Sequence, residues 1–141
     1  MAGGSRRRDR GRPAPGTPRP CPCGQPASYD ECCGRFHRGA ATAPTAELLM
    51  RSRYSAFAVG DADYLRRTWA AEHRPARVQL DPRMRWTGLD VLAVTGGSAF
   101  HQDGGVEFRA HYVLDGAPGE LHEHSRFVRE NGDWVYLDAR A

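Results

Sequence analysis

Four cysteines lie within thirteen residues of this 141-residue chain, and no other cysteine occurs in it. In the stretch CPCGQPASYDECCG they are Cys21, Cys23, Cys32 and Cys33, spaced C-x-C-x8-C-C. Four thiolates are a common ligand set for tetrahedral structural zinc, and a short hairpin followed by one helical turn can bring ligands so spaced together. The spacing therefore predicts a Zn²⁺ site made by all four cysteines.

The residues between the two cysteine pairs favour this arrangement. Gly24 allows the chain to turn after the first pair. Ser28 is a candidate N-cap for a short helical segment that carries the second pair and ends at Gly34. Thirteen residues cannot form a core, so metal binding would supply their folding energy.

Other uses of the four thiols fit the sequence less well. Disulfides are rare in the cytoplasm, redox motifs usually have the spacing C-x-x-C, and iron–sulfur clusters usually have other ligand spacings. His37 follows closely and is an alternative fourth ligand in place of Cys33. A zinc ion held by all four cysteines is the favoured interpretation.

The apolar residues that follow Thr45 recur at helical spacing. Thr45 is a predicted N-cap, Gly60 a predicted helix end, and Asp61 the predicted cap of a second helix. Apolar residues recur along one face of the first helix, with Arg53 among them. An arginine in such a stripe either extends to the surface or pairs with a buried acid.

After Pro82 the pattern changes to that of strands: MRWTGLDVLAVT, VEFRAHYVL, LHEHSRFV and DWVYLD. Asn131-Gly132 predicts a two-residue hairpin that pairs Phe127 with Tyr136 and Val128 with Val135. The same register pairs Ser125 with Asp138. If Gly116–Gly119 forms the preceding loop, Leu114 pairs with Leu121, Tyr112 with Glu123 and Phe108 with Phe127.

These registers place most large apolar residues on one face of a four-stranded antiparallel meander. Two helices followed by this meander predict an α+β domain with the helices on one side of a curved sheet. The inner face contains Phe108, Ala110, Tyr112, Leu114, Leu121, Phe127, Trp134 and Tyr136, interrupted by Glu123, Ser125 and Asp138.

A carboxylate on this apolar face requires explanation, because burial without a partner is costly. One hypothesis is an Arg53–Glu123 ion pair that fixes the helix on the sheet. The other is a cavity for a small molecule, or an acid–base site, in which Glu123 and Asp138 divide the acid and base roles. The candidate cavity residues are Arg53, Trp86, Tyr112, Glu123, Ser125 and Asp138.

The outer face of the sheet carries His111 across from His124, with His122 nearby, and Arg109 across from Arg126. Three histidines at this spacing could bind a metal, but we favour a face exposed to solvent or to the partner in a homodimer. Nucleic-acid binding through the sheet is disfavoured, because its aromatic residues lie on the face that the helices cover.

Charge is concentrated at the N-terminus. Residues 1–20 contain six arginines and one aspartate, whereas the whole chain has a net charge of +3. This stretch is rich in Pro and Gly and lacks apolar periodicity, which predicts a disordered basic tail. No apolar run is long enough for a membrane helix or a secretion signal, so we expect a cytoplasmic protein that does not enter membranes.

The cysteine stretch resembles the SEC-C motif, a small zinc-binding module also found at the end of the SecA translocation motor. Four later blocks resemble the YchJ family of bacterial proteins: APTAELLMRSRYSAFAVGDADYLRRTW, VEFRAHY, EHSRF and DWVYLD. The resemblance implies a zinc module at 21–38 with the four cysteines as ligands, and an NTF2-like domain at 44–139.

In SecA the module contacts partner proteins. The sequence here departs from the common motif, because Pro26 and Ala27 stand where Gly and Lys are usual. We favour a protein-binding adaptor without catalytic residues, but the resemblance itself does not decide between this hypothesis and the alternative. The alternative is a small-molecule-binding protein, or an acid–base enzyme that uses the cavity around Glu123.

Overall fold

The computed structural model describes residues 19–140, and short helices precede a single sheet. The predicted tail at 1–20 lies outside the described residues except for its last two positions. The elements in chain order are α1 (Cys33–His37), α2 (Ala46–Val59), α3 (Ala62–Arg67), a 3₁₀ turn (Ala71–His73), β1 (Met84–Gly96), β2 (Asp103–Leu114), β3 (Ala117–Glu130) and β4 (Asp133–Arg140).

Helix α2 begins and ends where the sequence predicts, and α3 begins where it predicts but ends at Arg67. The hydroxyl of Thr45 accepts a hydrogen bond from the backbone N–H of Leu48 at 3.1 Å, which caps α2. Gly60 ends α2 with a φ of 84°, a conformation that glycine adopts without strain. Asp61 caps α3 by accepting the N–H of Tyr64 at 3.0 Å. These local signals are confirmed.

The four strands form an antiparallel sheet in chain order, β1-β2-β3-β4, and α2 packs against β1, β2 and β4. The predicted α+β class is therefore confirmed. Irregular pairing in β1, after Trp86 and after Val91, adds to the bending of the sheet. The core lies between α2 and the concave face and continues into the cysteine stretch.

The β3–β4 hairpin confirms two predicted pairs and contradicts a third. Phe127 pairs with Tyr136, and Val128 with Val135, as the Asn131-Gly132 turn predicts. Beyond them a bulge adds Leu137 to β4, so Asp138 pairs with Arg126. The predicted Ser125–Asp138 pair is wrong because one extra residue reverses the face on which Asp138 lies.

The predicted β2–β3 register is also wrong. The turn contains Asp115 and Gly116, both with positive φ, instead of Gly116–Gly119. Phe108 therefore pairs with Glu123, and Tyr112 with Gly119. The error displaces the pairs by an even number of residues, so every side chain stays on its predicted face.

Candidate functional site

The four cysteine sulfurs converge on one point. All lie within 4.8 Å of one another, and the Sγ atoms of Cys23 and Cys32 are 3.7 Å apart. Sulfurs at the corners of a zinc–thiolate tetrahedron are about 3.8 Å apart, given a Zn–S distance of about 2.3 Å. All four residues are buried. The donor set and its spacing therefore fit a metal ion.

The local chain conformation brings the two cysteine pairs together. A tight turn has Gly24 at a φ of 90°, and the N–H of Cys21 donates to the carbonyl of Ala27 at 3.1 Å. The predicted helix end at Gly34 is wrong, because α1 continues to His37. Gly34 instead permits close approach: an added Cβ would lie 2.7 Å from the carbonyl oxygen of Tyr29.

His37 makes hydrogen bonds away from the cysteines. Its Nε2 lies 2.8 Å from the carbonyl oxygen of Ser52, and its Nδ1 lies 2.6 Å from the hydroxyl of Tyr29. Among the described residues, the group at metal-binding distances contains the four cysteines and not His37. Both ring nitrogens of His37 instead connect structural elements.

The thiols influence one another electrostatically: hydrogen bonds with Cys23 and Cys33 lower the pKa of the Cys21 thiol. Hydrogen bonding with Cys21 raises the pKa of the Cys23 thiol to about 12. The same type of contact, first with Cys21 and then with Cys23, raises the pKa of Cys33. Four thiolates so close together repel one another, and a divalent cation would remove that repulsion.

The cysteine centre packs directly on α2. The Sγ of Cys21 lies 3.6 Å from the Oγ of Ser55, and Arg51 donates from Nη1 to the carbonyl of Cys23 at 2.9 Å. Ser55 and Ser52, the helix residue that contacts His37, are three residues apart and share one face of α2. This face of the helix is therefore covered by the cysteine module, residues 21–38.

The opposite side of α2 and the concave face of the sheet enclose a cavity of about 280 Å³. Its wall is largely aromatic and aliphatic, with few polar groups. The lining residues are Met50, Arg53, Tyr54, Phe57, Trp69, Trp86, Phe108, Ala110, Leu121, Glu123, Ser125, Phe127 and Tyr136.

Arg53 carries a positive charge into this wall with only 6% of its surface exposed. Its Nη1 donates to the carbonyl of Leu65 and to the hydroxyl of Thr68, both at 2.7 Å. The guanidinium carbon lies 5.2 Å from the ring centre of Trp69 and 4.7 Å from that of Tyr136. Burial lowers the pKa of Arg53 to about 10, so the group stays protonated at neutral pH.

Glu123 enters the same cavity from β3. Burial raises its pKa, against the opposing effects of a 3.5 Å contact with the Ser125 hydroxyl and of the positive charge on Arg53. The predicted Arg53–Glu123 ion pair is wrong: no nitrogen–oxygen distance of 4.0 Å or less joins these two described residues. Nη1 of Arg53 is directed at Leu65 and Thr68 instead.

Four of the six candidate cavity residues line this cavity: Arg53, Trp86, Glu123 and Ser125. The other two do not. Tyr112 packs edge-to-face against Trp86, with ring centres 5.5 Å apart. Asp138 lies on the outer face and accepts two hydrogen bonds from Arg126, each at 2.6 Å.

Trp69 and Tyr136 complete the wall around Arg53, and neither is among the candidate cavity residues predicted from the sequence. Residues beside Trp69 pair with β4: the N–H of Ala70 donates to the carbonyl of Tyr136, and the N–H of Tyr136 to that of Thr68. Tyr136 was predicted on the inner face, which was the one available signal. No local pattern indicates the approach of Trp69.

The described histidines of the outer face do not form a metal-binding cluster. His111 pairs with Glu120 across the strands and its Nε2 contacts Asp90 at 2.8 Å, whereas His122 contacts Glu107 at 2.7 Å. The predicted pairing of His111 with His124 is wrong because of the displaced β2–β3 register, and so is that of Arg109 with Arg126. Within residues 19–140, the cysteines alone form a group that could hold a metal.

The described chain thus combines a cluster of four cysteines that could hold a metal ion with a curved antiparallel sheet. The chain belongs to the YchJ family, since residues 45–139 match the family described as "YchJ, middle NTF2-like domain". The predictions of this family and of the NTF2-like fold are confirmed. No helix in the described part of the chain is both long enough and apolar enough to span a membrane.

Curated relatives and solved structures are similar to this chain over most of its length. A UPF0225 protein of Streptomyces coelicolor is 62% identical over 84% of this chain and 93% of its own. One from Deinococcus radiodurans is 48% identical over 86% and 88%. The solution structure of a SEC-C motif containing protein from Rhodopseudomonas palustris has a TM-score of 0.75 and 32% identity, covering 86% of this chain and 97% of that one. A SEC-C motif containing protein from Psychrobacter arcticus has a TM-score of 0.68 and 31% identity, covering 84% and 80%.

Proposed function

We propose that this protein binds a small molecule in the cavity between α2 and the sheet, and that a zinc ion in the cysteine centre stabilises the helix that forms one wall. The cavity carries the proposal, because its apolar lining surrounds a few polar groups, Arg53, Glu123 and Ser125. Ligand sites commonly combine an apolar wall with a few such polar groups. A volume of about 280 Å³ suits a small ligand.

Zinc would be held by Cys21, Cys23, Cys32 and Cys33. Four protein ligands leave no open position for substrate, so the ion would supply folding energy and no reaction chemistry. The module's contacts with Ser52 and Ser55 support a structural role, since they connect it to the helix that carries Arg53.

The function that we propose is ligand binding and does not include acid–base catalysis. An acid–base pair would require a second carboxyl group near Glu123, and Asp138, the candidate for that role, lies on the outer face. Among the described residues that line the cavity, Glu123 is the single carboxylate. A protein of this design would store, carry or sense its ligand.

The test is a ligand-observed NMR screen of small aromatic compounds, both neutral and acidic, against the zinc-loaded protein. Several compounds should bind to the wild type and fail to bind to Ala110→Leu, which fills the cavity from β2. The matched control is Ala93→Leu, an exposed alanine on the outer face of β1. The proposal fails if no compound binds, or if both variants bind as the wild type does.

A protein-binding adaptor is the second candidate, and one residue favours it. Phe100 is 93% exposed in the β1–β2 loop. Arg129 holds this loop by donating to the carbonyls of His101 at 2.8 Å and Ala99 at 3.1 Å. Rigid exposed aromatic residues are frequent anchors in protein interfaces. A photo-crosslinker at position 100 should label one defined protein in the host cell, and the same group at Thr87 should not.

A further inference from the structure

Arg53 has hydrogen-bond donors that the described part of the protein leaves unused. Both of its short contacts, to Leu65 and Thr68, are made by Nη1. Among residues 19–140, Nε and Nη2 make no hydrogen bond, and no carboxylate lies within ion-pair distance of Arg53. The residue nevertheless lies in the cavity wall and is almost fully buried.

A second donor near this site is also unpaired. The indole N–H of Trp69 is buried and has no acceptor in the described chain. Trp69 lines the same cavity and stacks against Arg53. A buried donor without an acceptor is costly. The Trp69 N–H is itself closed off, whereas the unpaired donors of Arg53 keep some accessible surface for a ligand.

We propose that the ligand of this cavity is an organic monocarboxylate whose carboxylate pairs with Arg53 and whose apolar body lies against the aromatic wall. This inference rests on the proposed function and specifies its ligand class. The Nε and Nη2 donors of a guanidinium lie in one plane and match the two oxygens of a carboxylate. The aromatic rings of Tyr54, Phe57, Trp86 and Phe108 supply the apolar surface.

The charge in the cavity favours a monoanion over a phosphate. One guanidinium offsets one negative charge, and a phosphate monoester carries up to two at neutral pH. The titratable groups that line the cavity with Glu123 are Arg53 and Tyr54 of α2 and Tyr136 of β4, while the cavity residues of β2 are uncharged. No other positive side chain among the described cavity residues could offset a second negative charge.

Glu123 sets a pH dependence for this binding. Ionised Glu123 repels a carboxylate ligand, whereas protonated Glu123 does not and has a proton to donate. Since burial already raises its pKa, an added anion nearby raises it further, and binding takes up a proton. Affinity for the monocarboxylate should therefore fall as the pH rises from about 5 to about 8.

Naphthoate and its neutral amide, naphthamide, are suitable probes because they have nearly the same shape and differ in charge. Isothermal titration of the zinc-loaded protein should give an affinity for naphthoate about 10- to 100-fold higher than for naphthamide. Equal affinities, or a preference for naphthamide, overturn the ligand class while leaving the proposed cavity function intact. Absence of binding by either probe, together with a negative NMR screen, overturns both.

Variants separate a ligand-binding role of Arg53 from a purely structural one. Glu123→Gln mimics the protonated carboxyl, so it should bind naphthoate at least as tightly as the wild type and without the pH dependence. The control is Glu107→Gln on the outer face, which should retain the wild-type profile. Arg53→Gln should lose the preference for naphthoate; because it also loses contacts with α3, its folding is checked by thermal unfolding. An unchanged pH profile in Glu123→Gln contradicts the inference.

Discussion

The sulfur of Cys21 lies 3.6 Å from the hydroxyl of Ser55 in α2, so the cysteine cluster contacts the helix that forms a cavity wall. The cysteines and the sheet belong to one continuous core. A change at the metal centre should therefore reach the cavity through the packing of a single helix. This arrangement differs from a zinc finger on a flexible arm, whose loss leaves the neighbouring domain intact.

Removal of the metal should destabilise the whole described domain. Cys32→Ser, or extraction with a chelator, leaves buried thiols without their cation and loosens the surface on which α2 packs. We expect the free energy of unfolding to fall by about 3 kcal/mol or more, measured by urea denaturation with zinc content determined in parallel. Glu31→Gln, at an exposed position between the two cysteine pairs, is the control and should change little. A β-sheet that unfolds at an unchanged urea concentration contradicts this prediction.

His37→Asn should lower stability and keep the metal. The substitution disrupts the contacts of the imidazole with the Ser52 carbonyl and the Tyr29 hydroxyl. Loss of buried hydrogen bonds costs about 1 to 3 kcal/mol, so the midpoint of thermal unfolding should drop. Native mass spectrometry should still find one zinc per chain. Loss of the zinc in this variant would instead make His37 a ligand.

Local signals predicted the outline of the fold well, because each depends on few neighbours. The Thr45 cap, the Gly60 helix end and the Asn131-Gly132 hairpin depend only on residues a few positions away. The four cysteines are equally local, since thirteen residues contain the whole ligand set. The resemblance to the SEC-C motif and the YchJ family implies the same cysteine site and the same domain.

The details of the cavity depended on distant contacts and were less predictable. One extra residue, Leu137, moved Asp138 to the outer face, and no sequence pattern marks that bulge. The position of Arg53 in an apolar stripe indicates an unusual arginine, but its partners are a backbone carbonyl and a hydroxyl at the end of α3. Which main-chain atoms approach a side chain depends on how two helices pack, which periodicity does not encode.

Glu123→Gln should stabilise the protein at neutral pH. Burial raises the pKa of Glu123, so ionisation of this carboxyl opposes folding: its contribution is favourable at low pH and is lost as the pH rises through the folded-state pKa. The variant should match the wild type at low pH and exceed it near neutrality by a fraction of a kcal/mol, since the half-buried site is partly screened. Urea denaturation across pH measures the difference. Glu120→Gln, at an exposed site, is the control, and a variant less stable than the wild type at neutral pH disproves the prediction.

Gly119→Ala should be costly because of Tyr112 alone. A Cβ at position 119 would lie 2.6 Å from Cζ of that ring and 2.7 Å from its hydroxyl, so the ring or the strand must move. Overpacking of this kind costs about 1 to 3 kcal/mol. The measurement is a double-mutant cycle by thermal unfolding with Tyr112→Ala. In the Tyr112→Ala background the glycine substitution should cost little; an unchanged penalty there would mean that backbone conformation, and not the ring, requires glycine at this position.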